Sequence, residues 1–290
     1  MIRHFIVSIM LLVVFSSCTK TEEKIISGNV APPDNTLPQS LRSNFITKSY
    51  IGLLGREPDD IEFSNAKATL DNGNYDKDSR KAVIEVILSN NDIYSREFEI
   101  ARVTLLNGID TIQIGEFINT FEYILTLPSF EEQWPAIQTE LNRLYPLKTS
   151  VQDMIAGTCS FAEMQRRCVD NNFYDEINMG SLNFVIACFQ NLLLRNPTQY
   201  EAEQCVAMVD GFNGILFLQV GLTKRDFQDI FFSSRDYYEG QVRLLFTRFL
   251  FRLPNSEEMT LYAELYQNSG DYKALIARLL ASDEYAGLTD

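Results

Sequence analysis

The sequence predicts an all-α protein built as stacked helix pairs in about four degenerate repeats. Three observations carry this expectation. No stretch of the 290 residues alternates polar and apolar side chains for long, and no Asn-Gly or Asp-Gly hairpin signal sits between alternating runs. An Arg-x-Pro step with Glu four residues after the proline occurs three times, and once in a worn form. A second phrase, with Ser or Asn three residues before Tyr, follows each copy at a distance. Self-similarity of this kind marks a repeated supersecondary unit.

In chain order, the first segment is MIRHFIVSIMLLVVFSSC. A basic start at Arg3, an apolar run from Phe5 to Phe15 and small residues after it give residues 1–17 the layout of a signal peptide. The run is too short for an ordinary spanning helix. Phe15-Ser16-Ser17-Cys18 resembles a bacterial lipobox, with Phe15 where Leu is usual. That resemblance implies that Cys18 is diacylated and becomes the new N-terminus. Two acyl chains suffice for stable anchoring. The stretch Thr19 to Lys24 reads either as a solvated tether or, by its resemblance to the export signal of Bacteroidota surface lipoproteins, as a surface address. Residues 18–40, with Pro32, Pro33 and Pro38, show no apolar period and read as a flexible linker. A coil of that length reaches about 25 Å.

The helical repeats are expected over 41–178 and 179–290. Their joints are Arg56, Pro58, Glu62; Arg195, Pro197, Glu201; and Arg252, Pro254, Glu258. The worn copy has Thr126 in the arginine place, then Pro128 and Glu132. The residue before proline avoids helical angles, so a helix ends near each arginine. A cation in the last turn meets the free carbonyls and the negative end of the helix dipole. Asp59, Thr198, Asn255 and Ser129 follow the prolines and are good N-caps, and Glu three residues later completes a capping box. The spacing therefore predicts one helix stopping and another starting, with each arginine partly buried against a carboxylate or carbonyls. The second phrase reads as a further cap: Asn91 with Tyr94, Asn171 with Tyr174, Ser234 with Tyr237 and Ser282 with Tyr285. Read as ligand sites, the joints would require four anion sites in an acidic chain. Read as helix joints, every position is explained.

Composition narrows the function. Hydrophobic residues make up 46% of the chain, enough for a substantial core. The formal net charge of −14 repels phosphate backbones, so nucleic acid is not an expected partner. The single histidine is His4, inside the segment expected to be removed. Without it, Ser-His-Asp and Cys-His catalysis and histidine zinc sites are excluded from the mature chain. Cys159, Cys168, Cys188 and Cys205 form no CxxC spacing, so no metal centre or cofactor is expected. Cys159 with Cys168 is the candidate disulfide, with buried thiols as the alternative. Paired acids at Asp59-Asp60, Glu131-Glu132 and Glu257-Glu258 sit at helix starts, where the dipole accounts for them better than catalysis does.

The phrases Tyr50-Ile51-Gly52-Leu53-Leu54-Gly55-Arg56-Glu57-Pro58 and Leu280-Ala281-Ser282-Asp283-Glu284-Tyr285 resemble the "YxxLLGREP…LxSxEY" pattern of a bacterial helical domain of unknown function. That domain is itself similar to phycobilisome linker domains. The resemblance covers residues 42–290 and implies interaction or scaffold roles with no catalytic residue. Other segments look like uncharacterised Bacteroidota lipoproteins. Asp110-Thr111-Ile112 is similar to their short O-glycosylation acceptor, making Thr111 a candidate site. GFNGILFLQVG, at 211–221, reads as a tight helix–helix contact, a hinge, a ligand-contacting loop or a partner surface. Aromatic residues crowd 231–251, and any left exposed would mark a binding face.

The expected function is therefore a non-enzymatic, lipid-anchored scaffold or interaction module at the outer membrane, with envelope or outer-membrane proteins as partners. The alternative is a module binding glycan or peptidoglycan. A remote third reading is a carboxylate-based hydrolase, which needs two carboxylates converging in one cleft.

Overall fold

A computed structural model describes residues 36–288, with side chains described over 39–288. The protein is all-α. Among the described residues there are sixteen α-helices and one small hairpin. In order, they are α1 (Thr36–Leu54), α2 (Asp60–Asn72), α3 (Lys77–Leu88), α4 (Asp92–Leu105), α5 (Thr111–Ile124), α6 (Trp134–Lys148), α7 (Ser150–Ile155) and α8 (Phe161–Val169). Then come α9 (Asn172–Ile177), α10 (Ser181–Cys188), α11 (Gln199–Val209), β1 (Gly214–Leu216) and β2 (Gln219–Gly221). The chain closes with α12 (Lys224–Ser233), α13 (Arg235–Leu250), α14 (Ser256–Ser269), α15 (Tyr272–Leu280) and α16 (Asp283–Ala286). Helix α1 starts at Thr36, inside the segment whose prolines suggest a linker, because Pro38 sits in the first turn where its missing N–H costs nothing. None of the described helices is long and apolar enough to cross a membrane.

Three joints share one ionic construction. Arg56 forks onto Glu62 (2.7 and 2.8 Å), Arg195 onto Glu201 (2.9 and 2.7 Å) and Arg252 onto Glu258 (2.7 and 2.6 Å). Each glutamate also completes a capping box with Asp59, Thr198 or Asn255. Each arginine donates to the carbonyl of the residue after it. Each then reaches an acid at the start of a later helix: Asp92, Asp236 and Glu284 respectively. Those acids lie inside the Ser/Asn-x-x-Tyr phrases, so the two recurring phrases touch. Each guanidinium also lies over the aromatic ring six residues earlier, Tyr50, Phe189 or Phe246. The forks hold Glu62 and Glu258 below the usual carboxylate range. Burial works against this at Glu201, yet its arginine and cap bonds still leave it low.

The worn copy does not make this joint. Residues Pro128–Gln133 form a 3₁₀ turn, and no side chain caps it. Thr126 turns its hydroxyl back to the Tyr123 carbonyl (2.7 Å), and with no guanidinium present Glu132 has nothing to fork onto. Of the four expected caps on tyrosine, Asn171, Ser234 and Ser282 accept from the backbone N–H of Tyr174, Tyr237 and Tyr285. Asn91 does not cap: Asn90, one residue earlier, accepts from the Asp92 N–H instead (2.9 Å).

Each joint also needs a left-handed residue just before its arginine. Gly55 supplies it in the first (φ 74°), but Leu194 (φ 51°) and Phe251 (φ 55°) supply it in the others. Left-handed angles cost a non-glycine residue about 1–2 kcal/mol. Phe251 is 88% exposed, so its ring returns little of that cost by packing. Phe251→Gly is expected to stabilise the fold by about 1 kcal/mol, read as a higher midpoint in urea. An unchanged or lower midpoint would show that the ring is held by contacts the exposure does not reveal.

The described residues from 38 onward form one compact unit. Its core joins early and late elements. Helix α3 packs against α15, α4 against α8, and α13 against α14. Tyr75 donates its hydroxyl to the Ala286 carbonyl (2.9 Å), and Lys48 donates to the Tyr285 carbonyl. Arg80 is 1% exposed. It donates to the carbonyls of Ala281 (3.1 Å) and Tyr75 (2.7 Å), and pairs with Asp283.

Candidate functional site

The site is a pocket of about 310 Å³ between helical segments. Helix α4 contributes Glu97, Ile100, Ala101, Thr104 and Leu105, and α13 contributes Gln241, Leu244, Leu245, Arg248 and, exposed at the rim, Thr247. Both sets follow helical spacing, so each helix presents one stripe. The short π-turn Phe189–Leu193, directly after α10, closes one side with Asn191 and Leu192, and Leu194 follows. Gln165 of α8 and Tyr272 of α15 complete the lining.

The π-turn is held against α13 by an absence and two donors. A Cβ on Gly240 would lie 2.3 Å from the Leu192 carbonyl oxygen and 2.8 Å from Leu193 Cα, so only glycine allows this approach. On either side of it, Gln241 donates to the Leu192 carbonyl (3.3 Å) and Arg243 to the Leu193 carbonyl (3.1 Å). A π-turn shifts the usual i→i−4 pairing, and side chains from α13 take up carbonyls it releases.

Polar groups at the floor are bonded to one another. Tyr237 donates to Gln165 Oε1 (2.9 Å), and Gln165 Nε2 donates to Gln241 Oε1 (3.0 Å). Arg248 donates to Glu97 (2.7 Å) and to the Gly52 carbonyl (2.6 Å). Burial first, and the Glu97 carboxylate second, push the Tyr272 phenol well above its ordinary range, so it stays neutral. The walls are aliphatic: Ile100, Leu105, Leu192, Leu244 and Leu245. Glu97 is the one carboxylate among the lining residues, and Arg248 occupies it. A carboxylate pair for glycoside hydrolysis is therefore not assembled here. The arrangement is suited to bind an uncharged aliphatic group.

The residues singled out from the sequence lie elsewhere. The arginines of the three joints sit in separate ionic knots, and none lines the pocket. Cys18 lies outside the described residues. Thr111 is exposed and opens α5, directly after its cap Asp110. The candidate Cys159–Cys168 bridge is not formed, and the buried-thiol alternative holds: all four described cysteines are free and buried. Cys159 turns its thiol to the Ser160 carbonyl (3.4 Å) in the loop before α8, while Cys168 is enclosed in that helix's last turn. Burial pushes the Cys159 thiol up to about 11 and those of Cys188 and Cys205 up to about 12, far from thiolate reactivity at neutral pH. Among the described residues, no group of three or more Cys, Asp, Glu or His side chains is placed to hold a metal ion.

Sequence reasoning missed the pocket. The signal was present in the polar residues Glu97, Gln241 and Arg248, spaced on otherwise apolar helix faces, and in a glycine inside α13. A second, polar cleft is lined by Arg143, Arg166, Lys224 and Arg225, and the first three of these are paired with Glu140, Asp229 and Asp175. Comparison with models of protein families, with curated proteins and with solved structures finds no match.

Proposed function

We propose that the protein is a lipid-anchored component of the cell envelope, attached through Cys18 at the outer membrane, that works as a non-enzymatic helical interaction module. Its pocket takes an aliphatic side chain from an envelope or outer-membrane protein. The observation that supports this most is the pairing of aliphatic walls with a polar floor already bonded within the fold. Such a pocket gains by excluding water from an apolar group and offers a charged ligand no free partner. A glycan reading is less well supported, because sugars favour exposed aromatic faces and the one aromatic lining residue, Tyr272, is buried.

The test places a photoreactive residue at Thr247, on the exposed rim, in native membranes. Discrete proteins identified by mass spectrometry should be captured there. Thr104→Trp, which plugs the mouth from the solvent side, should reduce that capture about tenfold or more, with the melting temperature unchanged within about 2 °C. Capture that ignores the tryptophan, or tight glycan binding by a form lacking residues 1–18, would overturn the reading. Palmitate labelling that persists in Cys18→Ser would remove the anchor from it.

A further inference from the structure

The hairpin β1–β2 plays no part in the pocket. Its register pairs Gly214 with Gly221, Ile215 with Val220 and Leu216 with Gln219. Leu216 points inward, and Ile215 and Val220 stand opposite each other on the outer face. The hairpin is a firm platform. A Cβ on Gly214 would lie 2.2 Å from the Gln204 carbonyl oxygen, and Gln204 Oε1 accepts the Ile215 N–H (2.9 Å). The turn itself is unusual. Phe217 (φ 48°) and Leu218 (φ 64°) both hold left-handed angles, at positions where Asn-Gly is the favoured pair. Phe217 packs on the core, but Leu218 is 97% exposed. An apolar γ-branched side chain is thus strained and wetted together.

We propose that this hairpin is a membrane-contacting finger that places Leu218, with Val220 and Phe212, into the interfacial layer of a lipid bilayer. Three features favour a bilayer as the occupant. Residues 211–223 contain no ionisable side chain, which suits a medium that penalises charge. The exposed Arg225 follows two residues later, placed for a headgroup phosphate, while Lys224 beside it is held by Asp175. The chain ahead of α1 carries the candidate anchor Cys18, and the residues from there to Thr36 span at most about 60 Å, so the body stays within reach of the membrane. Only this last point rests on the proposed anchor; the finger would bind lipid without it.

The test uses an unlipidated form beginning at residue 19 and phosphatidylcholine vesicles. The unlipidated chain should co-sediment with the vesicles. Leu218→Gly should weaken that binding about tenfold while raising the melting temperature, because it removes backbone strain. Loss of binding then cannot be loss of fold. Val220→Asp should weaken binding as well. No vesicle binding by the unlipidated parent chain, or unchanged binding in Leu218→Gly, overturns the proposal. So does a concentration-dependent dimer, abolished by Leu218→Gly, in a chain that ignores vesicles, since the hairpin would then be a contact between copies. None of these outcomes depends on whether Cys18 is acylated.

Discussion

Arg80→Ala is expected to destabilise the fold by about 3–5 kcal/mol, a loss typical of breaking a buried charged network. Arg80 is buried in full, and its guanidinium serves three partners: the Ala281 carbonyl, the Tyr75 carbonyl and the Asp283 carboxylate. It also lies 5.3 Å from the centre of the Tyr75 ring. Truncation leaves two backbone acceptors without donors, each worth about 1–3 kcal/mol, together with a void the size of the lost side chain. Asp283 is largely exposed and regains water, so it adds little to the loss. Domains are stable by about 5–15 kcal/mol, so this one change removes a large share. Urea unfolding followed by circular dichroism measures it. Hydrogen exchange should show α15 and α16 losing protection ahead of α13. Arg80→Lys should recover little, because a single ammonium cannot span three acceptors in a fixed fork. A loss below about 1 kcal/mol for Arg80→Ala would mean that the network is replaceable by water.

Gly240→Ala carries the second large effect. In an ordinary helix interior this change stabilises by about 1 kcal/mol. Here the added methyl would lie 2.3 Å from a backbone oxygen, and backbone cannot swing away as a flexible side chain can. Overpacking of this kind costs about 1–3 kcal/mol or more. We expect a net destabilisation of about 2 kcal/mol and an outward shift of the π-turn. That shift would break the Gln241 and Arg243 bonds to Leu192 and Leu193 and deform the pocket wall. Capture at Thr247 should fall in parallel, even at temperatures where the variant is folded. A rise in the unfolding midpoint would show that α13 and the turn do not press together as described.

The joints were legible in the sequence because they are local. Proline position, cap and glutamate lie within seven residues, and each follows from backbone chemistry at that point. The second acid on each arginine was not legible, since Asp92, Asp236 and Glu284 arrive from later helices through packing. The ring under each guanidinium recurs six residues ahead, yet it is hidden among many other aromatics of the same stretches. The hairpin escaped notice because its turn is Phe-Leu where turn chemistry expects Asn-Gly, and its strands are too short to show alternation. The same stretch drew attention for its glycines. Gly214 and Gly221 serve a close approach to α11, the kind of contact expected there, but made by a hairpin where a helix was anticipated, while Gly211 supplies a left-handed turn in open space. The worn copy shows the reverse: proline, serine and glutamate survive, but without arginine they do not make the joint. The pocket depends on which faces meet, and no single segment states that.

If the chain is exported as proposed, the way early helices hold late ones bears on its passage. Tyr75, Arg80 and Lys48 complete their bonds on residues 281–286. A polypeptide threading through a translocon with its N-terminus leading would thus emerge with its first helices lacking their partners. It would stay loose enough to keep moving until the last turns cleared the channel. The closing residues would then act as the latch on biogenesis, and a C-terminal truncation would be met as a quality-control failure before it was met as a loss of binding.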